Sequence, residues 1–130
     1  MREVKIYKCP LCGNIVLKLE DKSNNLVCCN KPMELLQANT SDGASEKHVP
    51  FLKEKVKDCK VAGAPIWEVQ VGSVLHPMLP EHWINWIGSF SNNTWVIKWL
   101  NPGDEPKHSL RINSDSTVYE YCNLHGLWKK

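Results

Sequence analysis

Apolar and polar residues alternate with a period of two along much of the chain, the pattern of strands that bury one face. Trp67-Glu68-Val69-Gln70-Val71 and Thr94-Trp95-Val96-Ile97-Lys98-Trp99 carry it cleanly, and Lys107 to Ile112 and Ser116 to Tyr121 more weakly. Trp83 to Phe90 is apolar on both faces, as a central strand is. Lys53 to Ala62 reads as one more strand, charged enough to lie at a sheet edge. Ser91-Asn92-Asn93, Asn101-Pro102-Gly103-Asp104 and Asn113-Ser114-Asp115 supply the turns between them. About seven short strands with no convincing helix predict an all-β antiparallel sandwich of immunoglobulin-like character over residues 46–130. The six tryptophans all lie beyond residue 66, and most read as core.

The first 36 residues are organised differently. Short alternating stretches at 3–7, 15–19 and 26–28 read as strands that flank two cysteine turns. So few residues bury too little apolar surface to fold alone, which calls for a metal staple. The polar, unpatterned stretch 37–45 reads as a linker, so the expected division is 1–36, 37–45 and 46–130.

Composition narrows the function. Apolar residues make up 42% and charged residues 23% of the 130, an ordinary globular balance. A net charge of +2 does not suggest nucleic acid as a partner. No apolar run approaches the roughly 20 residues of a membrane span. The N-terminus carries charge where a secretory signal is apolar, so the cytoplasm is the expected compartment. Thiols stay reduced there, and six cysteines read as metal ligands rather than disulfides.

Cys9-Pro10-Leu11-Cys12-Gly13 has the spacing of a metal knuckle, with Gly13 relieving the backbone where it doubles back. Cys28 and Cys29 supply two further thiolates. Neighbouring side chains on a strand point oppositely, so bringing both to one ion requires a twisted backbone. This arrangement resembles desulforedoxin, a small iron protein. Thiolates alone do not distinguish zinc from iron. The sixth cysteine, Cys59, has no obvious partner and reads as a free thiol.

A second ligand set closes the chain. Cys122 and His125, in Tyr121-Cys122-Asn123-Leu124-His125-Gly126, can face one ion from a tight turn. His48, His76 and His82 sit beside prolines or at strand ends, where loops can converge at one end of a sandwich. Four imidazoles and one thiolate point to iron. His108 lacks such a context and reads as a solvent-facing strand residue.

Four motifs, Glu46-Lys47-His48-Val49-Pro50, Gly72-Ser73-Val74-Leu75-His76-Pro77-Met78, His82-Trp83-Ile84-Asn85-Trp86-Ile87 and Cys122-Asn123-Leu124-His125-Gly126, look like those of superoxide reductase. With the cysteine module in front, the chain resembles desulfoferrodoxin, the two-iron form of that family. The resemblance implies a mononuclear iron held by His48, His76, His82 and His125 with Cys122 as axial thiolate and an open sixth position. It implies that Glu46 binds the oxidised iron, that Lys47 attracts superoxide, and that a second iron, or zinc, occupies Cys9, Cys12, Cys28 and Cys29. It also implies a rubredoxin-like electron donor and a homodimer. A dication with one thiolate and neutral imidazoles keeps one positive charge, so an anion is welcome in the open position. The thiolate opposite pushes electron density onto iron and favours giving an electron to superoxide. Lys53, Lys55, Lys57 and Lys60 read instead as a solvated edge.

Two rivals remain at this level. A blue-copper protein also uses Cys-x-x-His on a β-sandwich, but it wants a methionine soon after the histidine, and residues 126–130 contain none. A zinc-knuckle binding module without catalysis accounts for the first four cysteines and leaves Cys122 and four histidines idle.

Overall fold

A computed structural model describes residues 3–55 and 65–130. Cys59, Lys57, Lys60 and most of the strand expected over Lys53 to Ala62 lie outside the described residues. The chain divides into two compact units, Met1–Gln37 and Ala38–Lys130.

In the first unit, β1 (Ile6–Lys8) is the centre of a three-stranded antiparallel sheet between β2 (Ile15–Leu17) and β5 (Glu34–Leu35). Ile6, Tyr7 and Cys9 are its buried residues among those described. A second ribbon pairs β3 (Val27–Cys28) with β4 (Lys31–Pro32), so that Cys28 faces Lys31 and only Cys29 and Asn30 form the loop. Both loop residues are left-handed, at φ 53° and 59°, the conformation of a type I′ hairpin turn. Cys28 therefore ends a strand while Cys29 sits on its turn. This is the twist that lets adjacent side chains serve one ion.

The second unit is a sandwich of two antiparallel sheets. One has the order β10 (Lys107–Arg111), β7 (Ile66–Val71), β6 (Pro50–Lys55). The other has the order β12 (Gly126–Lys129), β11 (Thr117–Cys122), β8 (Ile84–Ser91), β9 (Thr94–Trp99). The doubly apolar β8 is an inner strand, as its pattern predicts, and β6, which shares Lys53 to Lys55 with the expected edge strand, lies at a sheet edge. The β8–β9 loop is Asn92-Asn93, both at positive φ. Val69, Val71, Ile84, Ile87, Leu100, Leu110, Val118 and Cys122 form the core cluster of buried residues.

The tryptophans correct the sequence reading. Only Trp128 is buried, Trp67 packs at the margin of the core, and Trp99 is 86% exposed. Trp86 stacks on Tyr121 and Trp95 packs at a tilt against Tyr119, on the face of their sheet turned away from Val118 and Ile87. His108 is also corrected. It is half-buried on the same face of β10 as Leu110, and its Nε2 is buried without a partner.

The stretch read as a linker is fastened to the sandwich from Asn39 onward. The Asn39 amide donates to the Leu127 carbonyl, its Nδ2 donates to Lys129 O, and Lys129 N donates to Asn39 Oδ1. One side chain thereby occupies the free edge of β12. A single helical turn, α1 (Ser45–His48), follows and delivers His48.

Gly72 lets α1 approach β7. A Cβ at Gly72 would lie 2.6 Å from the Glu46 carbonyl oxygen and 2.9 Å from Lys47 C, both backbone atoms. The same carbonyl accepts the Val74 amide at 2.9 Å. Gly72→Ala is expected to push α1 away, to cost about 1–3 kcal/mol as overpacking does, and to lower metal occupancy at the site that contains His48. Urea unfolding together with metal analysis of the purified variant checks this.

Candidate metal centres

Short-range geometry explains how each histidine is aimed. His48 Nδ1 lies 2.8 Å from the Ala44 carbonyl and His76 Nδ1 lies 2.6 Å from the Pro77 carbonyl. A carbonyl only accepts, so each Nδ1 carries the proton and each Nε2 presents a lone pair. The two Nε2 atoms are 3.3 Å apart, and neither can donate to the other. His82 Nε2 is buried with no hydrogen-bond partner. His125 presents Nδ1, 3.0 Å from His48 Nε2, and Trp128 Nε1 holds its backbone carbonyl at 3.0 Å.

The four rings stand at the corners of a square. His48–His76, His76–His82, His82–His125 and His125–His48 have centroids 4.8, 4.6, 5.0 and 4.7 Å apart, each pair close to perpendicular. The His48–His82 diagonal is 6.5 Å, longer than any side. Cys122 Sγ lies 3.5 Å from His76 Nε2 and 3.7 Å from His125 Nδ1. One donor atom from each of the five residues lies within 4.8 Å of all the others. The pairing of β11 with β8 shifts register between Tyr121 and Cys122, an irregularity of the kind that re-aims a side chain beside a site.

Electrostatics favour a cation at the centre. Burial lowers the pKa of His48 and His82, and it takes His76 down to about 4, so the rings stay neutral. The Lys47 charge adds to the effect on His82. Burial raises the Cys122 thiol, while the Leu124 and His125 amides favour its thiolate. Lone pairs that converge without a proton between them repel one another unless a metal takes them up. The donor set fits iron bound by four nitrogens and one sulfur.

In the first unit, Cys9, Cys12, Cys28 and Cys29 bring their sulfurs within 4.8 Å of one another. Cys12 N and Asn14 N point at Cys9 Sγ and Cys12 Sγ at 3.5 Å. Amide donors from Cys12 and Leu11 lower the Cys9 thiol to about 6. Neighbouring thiols push Cys29 up to about 12, a crowding that a bound cation relieves.

All nine ligand residues expected from the sequence are thus gathered into these two clusters. Glu46 and Lys47 are exposed on α1, and neither carboxylate nor ammonium belongs to a cluster. Sequence reasoning missed the residues that position the ligands. Trp128 stacks on His48 at 4.9 Å, and Asn123 binds Trp83 N and Glu81 O, tying the Cys-x-x-His loop to the His82 loop. The asparagine inside the motif is the one signal that points to this brace.

Family models match both units. The desulfoferrodoxin N-terminal domain covers residues 1–36 and the main desulfoferrodoxin domain covers 40–130. The desulfoferrodoxin of Nitratidesulfovibrio vulgaris is 46% identical over 98% of this chain and 95% of that one. A protein of Pyrococcus horikoshii named superoxide reductase is 31% identical over 69% of this chain and 89% of its own. The crystal structure of the superoxide reductase from Treponema pallidum superposes with a TM-score of 0.70 at 29% identity, over 99% of each chain. A mononuclear centre of four histidines and one cysteine on a β-sandwich, preceded by a four-thiolate unit, defines a two-site iron protein. The chain belongs to the desulfoferrodoxin family.

Glu120 lies two residues before Cys122, fully buried, and neither carboxylate oxygen has a hydrogen-bond partner. Burial pushes its pKa well above the usual carboxylate range. The folded value exceeds the unfolded one, so this stability is complete in acid and is lost as pH rises through the folded value. Glu120→Gln should therefore match the wild type at low pH and gain on it progressively as pH rises. Urea midpoints of the two metal-free proteins across the pH range check the sign.

Proposed function

We propose that the chain is an oxidoreductase that reduces superoxide by one electron to hydrogen peroxide at an iron held by His48, His76, His82, His125 and Cys122. The observation that carries this reading is the convergence of donor atoms from four imidazoles and one buried thiol within 4.8 Å of one another. Iron held by these residues would supply the one-electron redox chemistry, with an outside donor restoring its ferrous state. The relatives named superoxide reductase support the same reading.

The protein's own groups divide the remaining work. Ala44 and Pro77 hold the protons of His48 and His76 on the outer nitrogens, so the inner ones stay free. The Leu124 and His125 amides stabilise the Cys122 thiolate. Lys47, exposed on α1 beside His48, is the cation assigned to attract the superoxide anion. Glu46, beside it on α1, is the carboxylate assigned to the oxidised iron.

The electron donor is assigned as a rubredoxin-like protein, and the four-thiolate iron of residues 1–36 as a structural centre. Residues 46–130 carry the catalytic unit. The protein is expected in the cytoplasm as a homodimer. No helix among the described residues is long and apolar enough to cross a membrane.

Pulse radiolysis of the pre-reduced protein tests the reaction. One peroxide should form per superoxide consumed, whereas dismutation would form one per two. Lys47→Ala should slow the second-order step by roughly tenfold at low salt and flatten its salt dependence, as loss of steering does.

A further inference from the structure

Iron held by four thiolates carries one more negative charge when ferrous than when ferric. Donors aimed at its sulfurs therefore favour the ferrous state. In the first unit these donors come from one short stretch of chain. The Cys12 amide points at Cys9 Sγ, and the Asn14 amide points at Cys12 Sγ, each at 3.5 Å. Asn14 Nδ2 reaches Cys28 Sγ at 3.7 Å. The Asn14 carbonyl also accepts the Cys9 amide at 2.8 Å, so this one residue touches three of the four cysteines. Gly13, at φ 82°, makes the turn that folds Asn14 back over the knuckle.

Main-chain amides are present whatever residue stands at a position, so the Asn14 side chain is the donor that a substitution can remove. It spans from the first cysteine turn to Cys28 at the end of β3. A thiolate only accepts, which turns the amide nitrogen rather than the oxygen toward the sulfur. The Cys12 and Cys9 thiols push the Cys28 thiol up, and the Asn14 amide opposes them. Asn14 is exposed, so its side chain adds little to a core. We infer that Asn14 is a positioning residue that sets the reduction potential of the four-thiolate iron, holding it toward the ferrous state through the hydrogen bond from Nδ2 to Cys28 Sγ. The inference concerns the first unit alone and does not rest on superoxide chemistry at the second. No bond forms or breaks in the step it describes. Ferric iron takes up one electron, and the sulfurs share the added charge with the amides that face them.

The test is a spectroelectrochemical titration of the full-length, iron-loaded protein and its Asn14→Ala and Asn14→Asp variants, read at the ferric four-thiolate absorbance. At a fixed potential, Asn14→Ala should lower the ratio of ferrous to ferric iron about fivefold, the worth of one ordinary hydrogen bond. That ratio corresponds to a midpoint lower by about 40 mV, at about 59 mV per tenfold for one electron. Asn14→Asp keeps the shape, loses the donor and adds a negative charge, so its midpoint should fall further. Both variants keep the main-chain donors and should hold two irons per chain. The midpoint of the histidine–cysteine iron is the internal reference and should not move. A wild-type midpoint in Asn14→Ala would overturn the inference, even with a shift in Asn14→Asp, because charge alone would then explain that shift. Loss of the four-thiolate iron from Asn14→Ala would also overturn it, by showing that the side chain holds the fold rather than the charge.

Discussion

The second unit depends on one electrostatic constraint: neutral nitrogen lone pairs are held within hydrogen-bond distance of one another with no proton to share. His48 and His76 meet at 3.3 Å through Nε2 atoms that both accept. Such a contact persists only if the surrounding backbone fixes the rings and a cation satisfies them. The Ala44 and Pro77 carbonyls, the Trp128 ring and the Asn123 brace supply the first condition. A bound ion would supply the second, and its binding would then be coupled to the order of these loops.

The sandwich serves this constraint from both sheets. β11 brings Cys122 up from the core, β12 brings Trp128 under His48, and the loop after β7 carries His76. Gly72 allows α1 to lie against that loop, and Asn39 stitches the segment before α1 to the edge of β12. The four-thiolate unit solves its own version of the problem by a different route. A left-handed pair, Cys29-Asn30, turns two consecutive cysteines toward one point where a regular strand would set them on opposite faces.

Much of this was legible in the sequence, because ligand chemistry is written in side-chain identity. Every cysteine and histidine of the two clusters could be named from spacing and motif, and the doubly apolar run from Trp83 to Phe90 announced β8 as central. Residues that act through position were not legible. Ala44 and Pro77 contribute only carbonyls, and Trp128 looks like any core aromatic. Hydrophobicity also does not say which face a ring occupies. Trp86 and Trp95 therefore pack against tyrosines on the outer face of a sheet, and Trp99 is exposed at an edge. His108 looks solvent-facing because its neighbours are polar, yet strand alternation turns it inward with Leu110. The fastening of Asn39 depends on a contact ninety residues away in sequence, which local composition does not encode.

The central claim is that Cys122 and four histidines share one iron, and iron content with optical spectra on wild type and Cys122→Ser tests it most directly. The account predicts two irons per chain and a long-wavelength thiolate-to-iron band that appears when the protein is oxidised and is absent from the variant. Iron confined to the four-thiolate unit, or a band that survives Cys122→Ser unchanged, would contradict it.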